Sequence, residues 1–179
     1  MSFLGTSTKA AEAFDGSGSS AYAGKNPASK LELRKSYQTR VIADVKDFKT
    51  LGVAIDNGQT DGDAWVSFFI EYPRRESDSV GRTYSALVDL IGGGIDNASS
   101  GCGLLLAASY AKPGKPSDGI PSVKKYNSMA KLFSSIKDAG KRSDVGKSKI
   151  AWVKAKDALQ EYLETVDLPP SLADPIYDL

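Results

Sequence analysis

From Leu33 onward the chain repeats its large apolar residues at steps of three and four: Leu33, Tyr37, Val41, Val45, Phe48, Leu51 and Ile55. That spacing puts all seven on one face of an α-helix, because 3.6 residues complete a turn. Lys35, Arg40, Lys46 and Lys49 fall on the other faces. The spacing predicts one amphipathic helix of about 25 residues, about 38 Å long at 1.5 Å per residue. Ser29 is its expected N-cap, with Glu32 reaching back from the third helical position. Asn57-Gly58 is its expected end. A helix with one apolar stripe must bury it against another element, so the rest of the chain has to supply partners.

Three further periodic stretches do so. A second helical region begins near Thr60 or Asp61 and carries the aromatic stripe Trp65, Phe68, Phe69 and Tyr72, which reads as core. Pro73 lacks a backbone donor and predicts a kink or short break. Val80, Tyr84, Leu87, Val88 and Ile91 resume the period until Gly92-Gly93-Gly94 stops it. A third helix follows Pro121-Ser122 through Val123, Tyr126, Phe133 and Ile136 to Gly140, and a fourth runs from Ser143 or Asp144 through Trp152, Ala155, Leu159 and Val166 to Pro169-Pro170. No segment alternates with period two, so no sheet is required. The expected fold is all-α, an up-down antiparallel four-helix bundle over residues 29–168.

Three segments lie outside that pattern. Residues 1–28, rich in Gly, Ser and Ala, read as an extended or flexible arm that Phe3, Leu4, Phe14 and Tyr22 could anchor on a partner. Residues 92–121 read as a long loop between the second and third helices. Its Leu104–Leu106 run either packs as a short extra turn or meets a partner. Residues 169–179 read as an acidic tail.

Composition removes whole classes of chemistry. The 179 residues include one Cys and no His, with formal net charge +1. A Ser-His-Asp or Cys-His machine and a His-ligated metal site are therefore impossible. One Cys forms neither an internal disulfide nor a zinc cluster. The stretch Gly140–Ser148 imitates a phosphate loop, but five residues separate its glycines where that motif has four, and it lies between two helices. Gly101-Cys102-Gly103 lacks the third glycine and the strand of a dinucleotide fingerprint. Asn97-Ala98-Ser99 fits a glycosylation sequon without any secretory leader beside it. No apolar run approaches the roughly 18 residues of a membrane span. The expectation is a non-enzymatic protein without cofactor or metal.

Charge is segregated along the chain. Residues 122–156 hold ten Lys or Arg against two acids, net +8, whereas residues 157–179 hold six acids and no base. Such a layout suits docking on a charged surface, although solvated helix faces give the same pattern. The candidate docking residues are Lys124, Lys125, Lys131, Lys141, Arg142, Lys147 and Lys149. Leu104, Leu105, Leu106, Phe3 and Phe14 are candidate apolar anchors. No aromatic residues interleave these cations for stacking on bases, so nucleic acid is not an expected partner. A ligand-sized cleft between the helices would instead indicate a carrier or small enzyme.

Two stretches resemble a known family. Trp65-Val66-Ser67-Phe68-Phe69, then Tyr72-Pro73-Arg74-Arg75 and Tyr84-Ser85-Ala86-Leu87, are similar to the second helix of the PsbQ-like extrinsic proteins of photosystem II, which include lumenal subunits of red algae and diatoms. Ala130-Lys131-Leu132-Phe133, the lysine-rich turn, Ala158-Leu159-Gln160-Glu161-Tyr162-Leu163 and Leu168-Pro169 resemble its last two helices. The likeness spans residues 30–170. It implies a four-helix bundle in the plastid, peripheral on the lumenal face of the thylakoid membrane, touching the photosystem core and other extrinsic subunits. It also implies a non-catalytic part in stabilising the oxygen-evolving complex and its calcium and chloride, with residues 1–28 as a docking extension. The 92–121 loop and the segment after Pro170 are longer than the family's pattern. They keep open an alternative, a peripheral subunit of photosystem I or of a light-harvesting supercomplex.

Overall fold

A computed structural model describes residues 27–69, 80, 85–92, 100–111 and 119–178. The arm with Phe3 and Phe14, the predicted kink at Pro73, Tyr72 and the Asn97 sequon lie outside the described residues. Within them the chain is all-helical, with no strand. Six α-helices follow in order: α1 (Pro27–Asp56), α2 (Asp63–Phe69), α3 (Ala86–Ile91), α4 (Cys102–Ala108), α5 (Pro121–Lys141) and α6 (Val145–Glu164). A 3-10 turn at Pro175–Tyr177 closes the chain.

The three long helices form where the apolar period predicts them. α1 starts at Pro27 rather than after Ser29, because the fixed φ of proline suits the first helical position. Its stripe is buried as a unit: Val41, Val45, Phe48 and Leu51 have no exposed surface. At the start of α6 the Asp144 carboxylate accepts the Lys147 backbone N–H at 2.9 Å, as a capping residue should. The three helices also end alike. Backbone bonds from Gln59 to Ala54, Asp144 to Ala139 and Leu168 to Leu163 wrap each terminus into a left-handed turn. Gly58 holds that turn after α1 at φ 78°, whereas Ser143 and Asp167 hold it after α5 and α6 at φ 53° and 56°.

α5 and α6 are joined by three residues and pack side by side along their length. The Lys125–Glu161 ion pair joins the start of one to the end of the other, so they run antiparallel. α1 also runs antiparallel to α6. Gln38 donates to the Val166 carbonyl, Phe48 stacks on Trp152 at 5.3 Å, and Asp56 meets Lys149.

The predicted second helical region contains two short helices, α2 and α3, either side of residues outside the described set, and the predicted loop contains a third, α4. The described residues thus form an all-helical fold of three long and three short helices. Leu104 and Leu105 are half-buried and Leu106 is fully buried. Of the two outcomes open for this run, packing as an extra turn is the one observed. The acidic segment after Pro169 is not a free tail either. Leu172 and Tyr177 are buried, the Tyr177 hydroxyl donates to the Pro169 carbonyl at 2.9 Å, and Asp178 pairs with Lys49 on α1. Its apolar residues Leu172 and Tyr177, with Leu168 just before it, pull it onto the core, a force that net charge does not reveal.

The core is a chain of aromatic contacts. Trp65 lies 4.4 Å from Phe69, Phe69 meets Phe68 edge-on, and Phe68 reaches Phe48 and Phe133. Pairs of this geometry contribute about 0.5–1.5 kcal/mol each beyond burial. The expectation that Trp65, Phe68 and Phe69 are core holds. Both tryptophans sit on glycines of neighbouring helices. A Cβ on Gly140 would lie 2.6 Å from Trp65 Cζ3 and closer still to Cζ2 and Cη2, and one on Gly52 would collide with the Trp152 ring. The indole of Trp152 also donates to the Phe48 carbonyl at 3.2 Å.

Candidate docking surface

The predicted docking cations divide into two groups once the helices are placed. Lys125 pairs with Glu161 at 2.6 Å, Lys147 with Asp144 at 3.0 Å, and Lys149 with Asp56 at 2.7 Å. Those three are partly neutralised within the molecule. Lys124, Lys131, Lys141 and Arg142 are exposed and form no ion pair among the described residues. All four belong to α5 or the turn after it. Lys124, Lys131 and Arg142 fall on one line of that helix, separated by 7 and 11 residues, two and three turns. The helix sets this line because its opposite face, with Val123, Tyr126, Met129, Phe133 and Ile136, is buried. Exposed Asn127, Ser128, Ser134 and Ser135 fill the positions between the cations, and Asp138 is the acid among them. The face thus offers positive charge and hydroxyls but no large apolar side chain.

The predicted apolar anchors do not join that surface. Leu106 belongs to the core, and Leu104 and Leu105 pack against it. The sequence leaves both outcomes open for this run because a Gly-rich segment carries no helical period. α4 is only seven residues long, too short to show one.

A second polar constellation, which the sequence did not disclose, lies in the interior between α1, α3 and α4. Arg40 forms a two-pronged ion pair with Asp89, whose Oδ2 accepts from Nε at 3.2 Å. Asp44 accepts the Cys102 thiol hydrogen at 3.4 Å. Asp44, Asp89 and Cys102 are all buried, and one ligand atom from each lies within 4.8 Å of the others. The three residues are 45 and 13 positions apart, so no local motif could flag them.

The electrostatics of this knot favour structure over reactivity. Burial pushes the Cys102 thiol well up from its ordinary range, and the carboxylates of Asp44 and Asp89 push it further in the same direction. A protonated thiol is a poor nucleophile and a poor metal ligand. Burial lowers the Arg40 pKa, but the hydrogen bond and charge of Asp89 outweigh it and the net shift is upward. A divalent cation would have to displace this guanidinium from Asp89. The flanking glycines of Cys102 have a packing reason. A Cβ on Gly101 would lie 2.6 Å from the Ile91 carbonyl carbon, and one on Gly103 2.7 Å from the Leu90 oxygen. They let α4 approach the end of α3. Two tyrosines then pin this junction: Tyr126 donates to the Ile91 carbonyl and Tyr162 to the Gly103 carbonyl, each at 2.8 Å. At the other end of α4, Arg34 donates to the Ser109 carbonyl at 2.6 Å and lies over the Tyr110 ring.

Comparison of the chain with family models, with curated proteins and with solved structures finds no match. Among the described residues no helix is long and apolar enough to cross a membrane.

Proposed function

We propose that the protein is a non-catalytic subunit that docks, through the outer face of α5, on an acidic surface of a larger assembly. The observation that carries this reading is the line of exposed cations Lys124, Lys131 and Arg142, with Lys141 beside it, which form no ion pair among the described residues, on a face without large apolar side chains. Such a face gains little from burial against an apolar partner and most from opposite charge. The resemblance of residues 30–170 to PsbQ-like extrinsic proteins supplies the assembly: photosystem II on the lumenal side of the plastid thylakoid membrane. There the subunit would stabilise the oxygen-evolving complex and its calcium and chloride by covering neighbouring subunits, without holding metal itself.

The test is reconstitution. Salt-washed photosystem II membranes are mixed with the wild-type chain or with Lys124→Glu/Lys131→Glu/Arg142→Glu, and binding is read by co-sedimentation. Interactions between exposed charges are screened beyond about 8 Å at physiological ionic strength. Wild-type binding should therefore fall as salt rises, and the triple variant should bind at least tenfold more weakly. Equal binding by the two chains refutes the α5 face. Binding to photosystem I or light-harvesting complexes but not to photosystem II replaces the assembly named here while keeping the face.

A further inference from the structure

α6 presents a second surface of different character. Its inner face, with Ser148, Ala155, Leu159, Tyr162 and Leu163, is buried against the core. Its outer face carries Lys147, Ile150, Val153, Lys154, Asp157, Glu161 and Glu164, all exposed, with Lys147 and Glu161 also paired to Asp144 and Lys125 of their own chain. Two properties distinguish it from the outer face of α5. Ile150 and Val153, one turn apart, are 60% and 41% exposed, which places two large apolar side chains side by side in water. The charges are also sorted by sign: the first half of the face is basic and the second half acidic.

A helix sorted in this way is complementary to itself when turned end for end. A two-fold axis midway between Lys154 and Asp157 sets Lys154 opposite the partner's Asp157. The same axis sets Lys147 opposite the partner's Glu164, each about 13 Å from the axis at 1.5 Å per residue. Val153 then lies opposite position 158 of the second copy, an alanine, and Ile150 opposite position 161, a glutamate whose stem it can cover. The two helix dipoles oppose one another favourably. Parallel pairing would oppose like charges at every one of these positions. We propose that two copies of this chain associate through α6, antiparallel, as a two-fold symmetric dimer. The interface is isologous, as most homodimer interfaces are. A single pair of 20-residue helices buries less than the roughly 1,200 Å² of a standard stable interface. Association is accordingly weak, with a dissociation constant on the order of 100 µM.

Sedimentation equilibrium of the full chain tests this, with charge-reversed variants as the discriminating arm. The wild type should rise from the monomer mass of 19.0 kDa toward twice that value as concentration passes about 100 µM, and should fall back at high salt. Lys147→Glu/Lys154→Glu and Asp157→Lys/Glu164→Lys should each stay monomeric over the same range. An equimolar mixture of the two should dimerise at least as well as wild type, because every pair is then restored across the interface. The first reversal places acids in the N-terminal half of α6 and the second places bases in its C-terminal half, each of which the helix dipole favours. Far-UV circular dichroism should accordingly show intact folds. A wild type that remains at 19.0 kDa up to about 500 µM overturns the proposal. So does a dimer that either variant forms alone, or a mixture that does not associate.

Discussion

The contact between Trp65 and Gly140 gives a prediction whose sign is opposite to the usual one. In an isolated helix, replacing glycine by alanine stabilises by up to about 1 kcal/mol. At Gly140 the added methyl would overlap three atoms of the Trp65 six-membered ring. Trp65 is only 8% exposed and is held by Phe69, so it has little room to withdraw. Forcing extra volume into a packed core costs about 1–3 kcal/mol, and complete eviction of a tryptophan approaches the 3–5 kcal/mol of a large-to-small truncation. Set against the helical gain, Gly140→Ala should destabilise by about 2 kcal/mol, or about 4–8 °C in melting temperature for a chain of this size.

Urea unfolding followed by far-UV circular dichroism measures the change without relying on tryptophan emission. Trp65→Leu supplies the second leg of a double-mutant cycle. In that background the methyl has space, so the cost of Gly140→Ala should shrink by at least about 1 kcal/mol. Gly146→Ala is the control. Its Cβ would meet only Asp144 Oδ1 at 3.7 Å, and the position is exposed, so it should be neutral or stabilising by a few tenths of a kcal/mol. A Gly140→Ala protein as stable as wild type, or one equally destabilised in both backgrounds, would show that the Trp65 ring does not fix the helix spacing.

Other outcomes follow from groups in and around the core. Because burial raises the Cys102 pKa, the unfolded chain loses this proton first as pH rises. Stability from this group is complete below the unfolded thiol value near pH 8.5 and declines above it by about 1.4 kcal/mol per pH unit. Cys102→Ser should remove that slope between about pH 9 and 10, and urea titrations with parallel slopes for both chains would contradict it. The Ser148 hydroxyl is fully buried with no hydrogen-bond partner among the described residues. Ser148→Ala should therefore raise stability by about 1 kcal/mol in thermal unfolding. Ser143 and Asp167 hold left-handed turns, so Ser143→Gly and Asp167→Gly should each gain up to about 1 kcal/mol. A loss at both positions would refute the strain argument. Arg34→Lys keeps the charge but loses the forked donors to Ser109. It should accelerate hydrogen exchange in α4 before it changes exchange in α6.

How much of this was legible depends on helix length. α1, α5 and α6 run for 20 residues or more, long enough for the three-four spacing to repeat several times. The seven- and six-residue helices α2 and α3 are each too short for the period to repeat, so their stripe was legible as one helical region with a break expected at Pro73 but not as two separate elements. α4 opens with Cys102-Gly103, where glycine lowers helix propensity, and it forms because Leu106 and Ala107 are buried around it. The glycines at 52 and 140 carried a signal: a glycine costs stability inside a helix, so its presence there suggests a close neighbour. Reading Gly140 as a terminator missed that. The Arg40–Asp89 and Asp44–Cys102 pairs join residues whose proximity exists only after folding. Nor could linear charge counting show that Lys125, Lys147 and Lys149 form ion pairs while Lys124, Lys131 and Arg142 form none among the described residues.

α1 is synthesised before all of its partners, and the residues that cover it arrive in two instalments: α2, α3 and α4 from the middle of the chain, then Trp152 of α6, Val166 and finally Asp178 from its far end. Phe68 can meet Phe48 early, whereas the flank of the stripe that stacks on Trp152 waits while 104 further residues are made. The nascent protein carries that half-covered flank through most of translation, open to wrong associations until α6 closes over it.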